Sequence, residues 1–251
     1  MVRHISDHSE QAVWQAFEHA AGGYDEASFL QRQSADYFFH VMMTHGFDAA
    51  GLWLDAGAGT GWLARQLAEQ GLQVHAVDQS AAMLAKLADV PGITPCVADI
   101  RHLPFADDAV DGLVSHFVLH WPGVGVLPEL ARVVRDGGLL WLAIPVAGSF
   151  AKVQRQYPGL PIFDFQPANA WLDALQRCPA LELIHAHERE WHQHFRHLRD
   201  LLYMLKRMGG HRLNTVHDPV DPARFRAWLK DPQPVVLEYQ VLYLQLRVKR
   251  G

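Results

Sequence analysis

The 251-residue sequence predicts an α/β fold, a parallel sheet with helices packed on both faces. Three observations predict it. From residue 51 onward, short apolar runs alternate with helix-periodic stretches. The first run leads into a glycine-rich bend, Asp55-Ala56-Gly57-Ala58-Gly59-Thr60-Gly61. Successive runs end in acids at Asp55, Asp78 and Asp99. Such alternation calls for βαβ units, whose ligands sit at the carboxyl ends of the strands, where the bend and the acids lie.

In chain order, 9–21 reads as an amphipathic helix with Val13, Trp14 and Phe17 on one face and Gly22-Gly23 as its stop. A second helix covers 28–45 and closes at Gly46. Strand one is 51–54, followed by a helix over 62–70, strand two over 72–77 and a helix over 81–88 that Ser80 can cap. Strand three is 93–97 and strand four 109–115. A helix over 124–135 ends at Asp136-Gly137-Gly138, and strand five, 139–144, is apolar enough to be buried on both faces. Beyond Pro145 the pattern loosens. Pro158, Pro161 and Pro167 punctuate a loop, a helix covers 168–176, and a polar strand covers 181–194. A helix over 197–208 stops at Gly209-Gly210, and Asp221-Pro222 opens another. The alternating stretch 235–248 reads as a strand pairing with its predecessor in an antiparallel hairpin at the sheet edge.

Composition fits one compact domain, with 1–50 as an N-terminal helical cap on a ligand-binding domain over 51–251. Hydrophobic residues make up 49% and charged residues 20%, ordinary globular values. The net charge of -5 argues against a general nucleic-acid binder. Two cysteines, Cys96 and Cys178, make a disulfide framework implausible, so a cytoplasmic setting is expected. The first eight residues contain no apolar signal core, and no segment nears the ~18 uninterrupted apolar residues of a membrane span.

The bend carries the chemistry. Glycines let the backbone turn sharply and approach a ligand closely. A dinucleotide loop, G-x-G-x-x-G, brings a pyrophosphate to a helix N-terminus and tends to avoid a carboxylate there. Here the spacing is D-x-G-x-G-x-G, with the acid upstream. That charge suits a ligand with a cationic end and no phosphate, and S-adenosylmethionine fits; a dinucleotide or a plain glycine turn is the alternative. Asp78, roughly 20 residues beyond the bend, can take both hydroxyls of a ribose, or cap the next helix instead. Asp99 can accept from an adenine amino group. The candidate cofactor residues are Asp55, Ala56, Gly57, Ala58, Gly59 and Gly61 on the bend, Asp78, Gln79 and Met83 after strand two, Asp99 and Ile100 after strand three, Ser115 and His116 after strand four, and Arg32 from the N-terminal helices. His185, His187, His192 and His194 alternate along a strand and can be weighed as metal ligands, but a half-exposed polar strand is the simpler reading and no metal is expected.

Leu54-Asp55 with the bend, Val77-Asp78-Gln79-Ser80, Ala98-Asp99-Ile100, Leu103-Pro104-Phe105 and Arg135-Asp136-Gly137-Gly138 resemble the successive motifs of class I S-adenosylmethionine-dependent methyltransferases. The resemblance covers about 51–145 and implies a Rossmann-like, seven-stranded, mostly parallel sheet whose last strand is antiparallel. A narrower likeness lies outside that core. Ala16-Phe17, Ala20-Ala21, Tyr24, Leu30 to Asp36, Leu119-His120-Trp121, Gly148-Ser149-Phe150 and Leu205 to His211 are similar to the malonyl-acyl-carrier-protein O-methyltransferases of biotin synthesis, the BioC family. Three departures stand out: His116 for a usual asparagine, Ala58 for a frequent cysteine, and a short 157–165 region.

That likeness implies methylation of the free carboxylate of a malonyl thioester on acyl carrier protein or coenzyme A, with S-adenosylhomocysteine as product. A carboxylate is already ionised near neutral pH, so no general base is needed and alignment is the mechanism. Substrate-positioning candidates are Tyr24, His116, Trp121, Lys206 and His211; an aromatic staple, a core tryptophan and a helix-dipole lysine are the competing readings. Arg196, Arg199, Lys206, Arg207 and Arg212 could meet an acidic carrier. Two other functions compete. One is a small-molecule carboxylate or hydroxyl O-methyltransferase, with His116 as base for a hydroxyl. The other is a non-catalytic S-adenosylmethionine-binding regulator. No Asn-Pro-Pro-Tyr-type motif follows strand four, which argues against methylation of a nucleic-acid base.

Overall fold

A computed structural model describes residues 15, 18–47, 50–208 and 220–250. Seven strands form one sheet in the order β3-β2-β1-β4-β5-β7-β6. They are β1 (Leu52–Ala56), β2 (Gln73–Asp78), β3 (Ile93–Val97), β4 (Val110–His116), β5 (Val134–Phe150), β6 (Leu181–Phe195) and β7 (Val235–Val248). The strands from β3 to β5 run parallel, and β7 is antiparallel to both β5 and β6. The predicted pairing of the last two strands is present, but β7 lies inside the sheet and β6 forms the edge.

Alternation along each strand assigns the two faces. Trp53, Val114, Trp141 and Tyr243 enter one apolar core, whereas Leu54, Leu113, Leu140 and Leu244 enter the other. Each fully buried leucine of this kind contributes about 1.5–3 kcal/mol. The first core is covered by α1 (Tyr24–Ala27), α2 (Phe29–Thr44), α3 (Trp62–Glu69) and a later helix, α8 (Leu198–Arg207). Between them in chain order come α4 (Ala81–Leu84), α5 (Leu127–Val133), α6 (Ala151–Gln156) and α7 (Ala168–Gln176). The second core is covered by α5 and α7. A short α9 (Pro222–Trp228) precedes β7, its first turn capped by the Asp221 carboxylate accepting from Ala223 N–H. Edge strand β3 carries Pro95, tolerated there because an edge residue can forgo one ladder hydrogen bond.

Several elements differ from the sequence reading. The 124–135 helix is a 3₁₀ turn, Val124–Val126, followed by α5, which stops at Val133. Val134 is already extended and pairs with Val110, and Arg135 is held by the Asp111 carboxylate at 2.7 Å. Adjacent β-branched residues at Val133 and Val134 favour this early exit. Strand β5 therefore begins before the glycine pair and runs on past Pro145, because β7 pairs with it through Val146. Helix α6 lies before the proline-punctuated loop, in a stretch whose Lys152, Gln154 and Arg155 give no apolar periodicity to announce it. The 81–88 helix divides into α4, capped by Ser80 Oγ accepting from Met83 N–H at 3.2 Å, and a 3₁₀ turn, Ala85–Leu87. Most of the 9–21 helix, with Val13, Trp14 and Phe17, lies outside the described residues.

Candidate functional site

The bend after β1 is fastened to its neighbours on three sides. Gly57 and Ala58 N–H both donate to the Val77 carbonyl, at 2.8 and 2.9 Å. Gly59 N–H donates to the Asp78 carboxylate at 2.8 Å, and Ser80 N–H donates to its other oxygen at 2.9 Å. Asp55 is buried and accepts from Ala64 N–H in the first turn of α3 at 3.0 Å. Two glycines require their lack of a side chain. Gly57 has φ 81° and a Cβ there would sit 2.5 Å from the Val118 side chain. Gly59 has φ 54°, and its Cβ would meet nothing within 4 Å, because it points into the open cleft.

That cleft is walled by Asp55, Gly57, Ala58 and Gly59 on the sheet side, by Tyr24, Gln31 and Arg32 from α1 and α2, and by His116 and Phe117 after β4. Arg32 lies over the Trp62 ring at 5.3 Å. Asp25 ties the helical side to the bend, accepting from Thr60 Oγ1 at 2.6 Å and pairing with Lys86 at 2.9 Å. Burial pushes the Asp55 carboxyl up to about 7, against the Ala64 hydrogen bond, and the nearby Asp78 charge adds to the rise. Asp78 is raised by burial too, opposed by the N–H groups it accepts from. Tyr24 is raised to about 12 by burial and the adjacent carboxylates, so it stays a neutral phenol.

Tyr24, Gln31 and Phe117 also border a second cavity, an aromatic chamber completed by His120, Trp121, Phe150, Phe163, Phe165 and Tyr239, with Leu205 and Met208 of the α8 end. Gln31 hydrogen-bonds Tyr239 across it. The joint between cleft and chamber is strained. Phe117 adopts φ 57°, a left-handed conformation that costs a bulky residue about 1–3 kcal/mol. Its N–H donates to Ala143 carbonyl at 2.9 Å, and its ring packs on His116 and Tyr239, so the surrounding structure holds it there. Burial lowers both His116 and His120 to about 3, leaving two neutral imidazoles.

Tyr24, Arg32, Asp55, Gly57, Ala58, Gly59 and His116 thus come together at the cleft, and Tyr24 and Trp121 at the chamber. Other sequence candidates sit behind it. Ala56, Met83 and Ile100 are buried, Ser115 Oγ donates to the Ala56 carbonyl at 2.8 Å, and Gly61 packs against Leu87. Gln79 is half-buried beside Asp78. Asp99 is held by Arg101 through its guanidinium at 2.7 Å and its N–H at 2.9 Å. Lys206 is exposed on α8, and His211 and Arg212 lie outside the described residues. Arg207 pairs with Glu26 at 2.5 Å. The four strand histidines divide: His185 and His187 pack tilted against one another at 5.2 Å, whereas strand alternation puts His192 and His194 on the opposite face. Among the described residues no group of three or more His, Cys, Asp or Glu side chains could hold a metal. The sequence reading assigned no role to Asp25, Gln31, Phe117, His120, Phe150, Phe163, Phe165 and Tyr239, of which Gln31, His120 and Phe150 lie in stretches quoted for the resemblance.

Comparison with known proteins agrees with this fold. Residues 54–142 match the family model of the methyltransferase domain. The malonyl-[acyl-carrier protein] O-methyltransferase of Pectobacterium atrosepticum is 35% identical over 158 residues, 61% of this chain and 61% of that protein. The biotin biosynthesis bifunctional protein BioHC of Cellvibrio japonicus is 28% identical over 253 residues, 94% of this chain and 50% of that protein. The aligned regions therefore span less than two thirds of either relative's length. The geranyl diphosphate C-methyltransferase of Streptomyces coelicolor, solved with S-adenosyl-L-homocysteine, superposes with a TM-score of 0.53 at 13% identity, covering 86% of this chain and 78% of that one. The chain therefore has the class I methyltransferase fold, carries a methyltransferase-domain match over residues 54–142, and is similar in sequence to the malonyl-[acyl-carrier protein] O-methyltransferases.

Proposed function

We propose that the chain binds S-adenosylmethionine in the cleft and transfers its methyl group to the free carboxylate of a malonyl thioester carried on acyl carrier protein, an early step of biotin synthesis. The observation that carries this is the adjacency of an acid-flanked glycine cleft and an aromatic chamber, which share Tyr24, Gln31 and Phe117 as lining and have neutral imidazoles beside them. The cleft fits the cofactor: Gly59 leaves open the space a side chain would fill, and the buried carboxylates suit a cationic ligand. Asp55 and Asp78 would face its cationic and ribose portions, with Asp99 beyond them, and Arg32 its carboxylate.

When bound, the cofactor supplies a methyl group activated by a sulfonium. The chain supplies alignment. Tyr24 and Phe117 place aromatic rings at the junction, where ring faces favour a cation. The chamber's rings exclude water from the acceptor carboxylate, which strengthens it as a nucleophile without proton removal. His116 and His120 stay uncharged and do not repel a cationic donor. Residues 1–50 are proposed as a cap on the domain formed by 51–251, and the cytoplasm as its location. No helix among the described residues is long and apolar enough to cross a membrane.

The carrier would dock beside the chamber on α8, where Arg199, Tyr203 and Lys206 are exposed at helix-face spacing next to Leu205 and Met208. Incubation with methyl-labelled cofactor and malonyl-acyl carrier protein should yield a base-labile methyl ester. Turnover should fall steeply with salt on the carrier-bound substrate and little on malonyl-coenzyme A. A base-stable product would point to a hydroxyl or other acceptor, and cofactor binding without transfer to a regulator.

A further inference from the structure

We infer that Trp191, Tyr243 and Ser34 act as positioning residues that fix His116 in a single tautomer, its proton on Nδ1, so that the ring offers the acceptor a hydrogen-bond donor and no base. The four side chains form one line of hydrogen bonds across β6, β7, α2 and β4. Trp191 Nε1–H donates to the Tyr243 hydroxyl at 2.8 Å, Tyr243 and Ser34 Oγ are 2.7 Å apart, and Ser34 Oγ lies 3.0 Å from His116 Nε2. Ser34 and Tyr243 are buried, so no bulk water can complete a broken link.

Direction follows from counting protons. An indole nitrogen can only donate, and each hydroxyl has one proton to give. Tyr243 oxygen already accepts from Trp191, so its own proton can pass to Ser34, and the Ser34 proton to His116 Nε2. Every proton is then used. The opposite arrangement has Nε2–H donating to Ser34 and Ser34 donating to Tyr243, which strands the Tyr243 proton. The hydrogen-bond partners of that hydroxyl are Ser34 Oγ and the Trp191 indole, and the rings packed on the Tyr243 ring are those of His187, Tyr37 and Phe38, with centroids 5.0, 5.3 and 5.8 Å away. A buried donor left without an acceptor disfavours that arrangement by about ten- to a hundredfold. Phe38 stacks on the imidazole at 5.9 Å and Phe117 packs tilted against it at 4.6 Å, which restricts its rotation.

With Nε2 taken, Nδ1 is the ring nitrogen left for the cleft that His116 borders. A hydroxyl acceptor, which benefits from a base, finds none there. An ionised carboxylate needs no base, and a donor to its second oxygen holds the first in line. This consequence rests on the methyl-transfer reading; the tautomer itself does not.

Nitrogen-15 spectra of the full chain, labelled at histidine and with the His116 signals assigned by their loss in His116→Asn, test it without any substrate. The expected result is a protonated Nδ1 and an unprotonated Nε2. A protonated Nε2, or a doubly protonated ring, overturns the inference. In Ser34→Ala the ring should shift toward the Nε2–H form, and the acceptor KM should rise about tenfold with S-adenosylhomocysteine affinity unchanged. An unchanged tautomer in that variant also overturns it. If Ser34→Ala does not fold, the spectrum of the unaltered protein decides alone. An inactive protein with the expected spectrum would fault the proposed reaction and leave the relay standing.

Discussion

Gly59→Ala is expected to lower S-adenosylhomocysteine affinity by about ten- to a hundredfold, while shifting the thermal midpoint by only about 2–8 °C. Its Cβ would meet no atom within 4 Å, so the folded chain bears little beyond the cost of φ 54°. That cost is about 1–2 kcal/mol for an alanine. The methyl group, however, enters the space where a ligand must approach the backbone. Gly57→Ala should behave in the opposite sense. Its Cβ would lie 2.5 Å from Val118, on a backbone at φ 81°. Strain and overlap together come to about 2–5 kcal/mol, a midpoint drop of about 5–15 °C. Calorimetric titration and thermal unfolding of the two variants side by side would read both effects. Equal loss of stability in both, with binding retained in Gly59→Ala, would remove the bend from the ligand site.

The second large effect is a pH dependence of cofactor binding. In the unliganded chain Asp55 titrates at about 7, because burial and the Asp78 charge oppose ionisation. A cationic ligand favours the ionised form and pulls that value down, so binding below pH 7 must release a proton. Affinity should therefore be flat above about pH 8 and fall as the solution is acidified, by up to about tenfold per unit. Asp55→Asn should flatten the profile, with any remaining slope assigned to Asp78, which is also raised and has Glu18 beside it. Thermal stability is a poorer reporter in the same window. Asp55, raised above its unfolded value, contributes stability that is present at acid pH and lost as pH rises through about 7. His116 and His120, lowered to about 3, act oppositely, since only the unfolded chain takes up their protons below pH 6.5. The two contributions offset one another in unfolding and separate in binding.

Local pattern carried most of the fold. The helix over 168–176 and the strand over 235–248 appear at the predicted residues, and the glycine bend follows β1 directly. These features depend on neighbours within a few residues. What local pattern left open depended on distant partners. The position of β7 inside the sheet is decided by its pairing with β5, and the early end of the 124–135 helix by the pairing of Val134 with Val110. The site divides in the same way. Asp55, Gly57, Gly59 and Asp78 are close in sequence and stand out as a motif. The chamber is assembled around Phe117, Phe163, Phe165 and Tyr239, scattered along the chain and individually no different from core aromatics. The Ser34–Tyr243 hydrogen bond spans 209 residues and has no trace in any local pattern. Asp99 was legible as a strand-end acid, but its capture by Arg101 two residues on depends on a backbone turn the sequence does not announce.

All of this depends on what the acid-flanked bend holds. Isothermal titration of the unaltered chain with S-adenosylhomocysteine, in parallel with NADH, asks it most directly. Saturable heat with the sulfur nucleoside and none with the dinucleotide is the predicted result. Binding of NADH, with no response to S-adenosylhomocysteine, would contradict it.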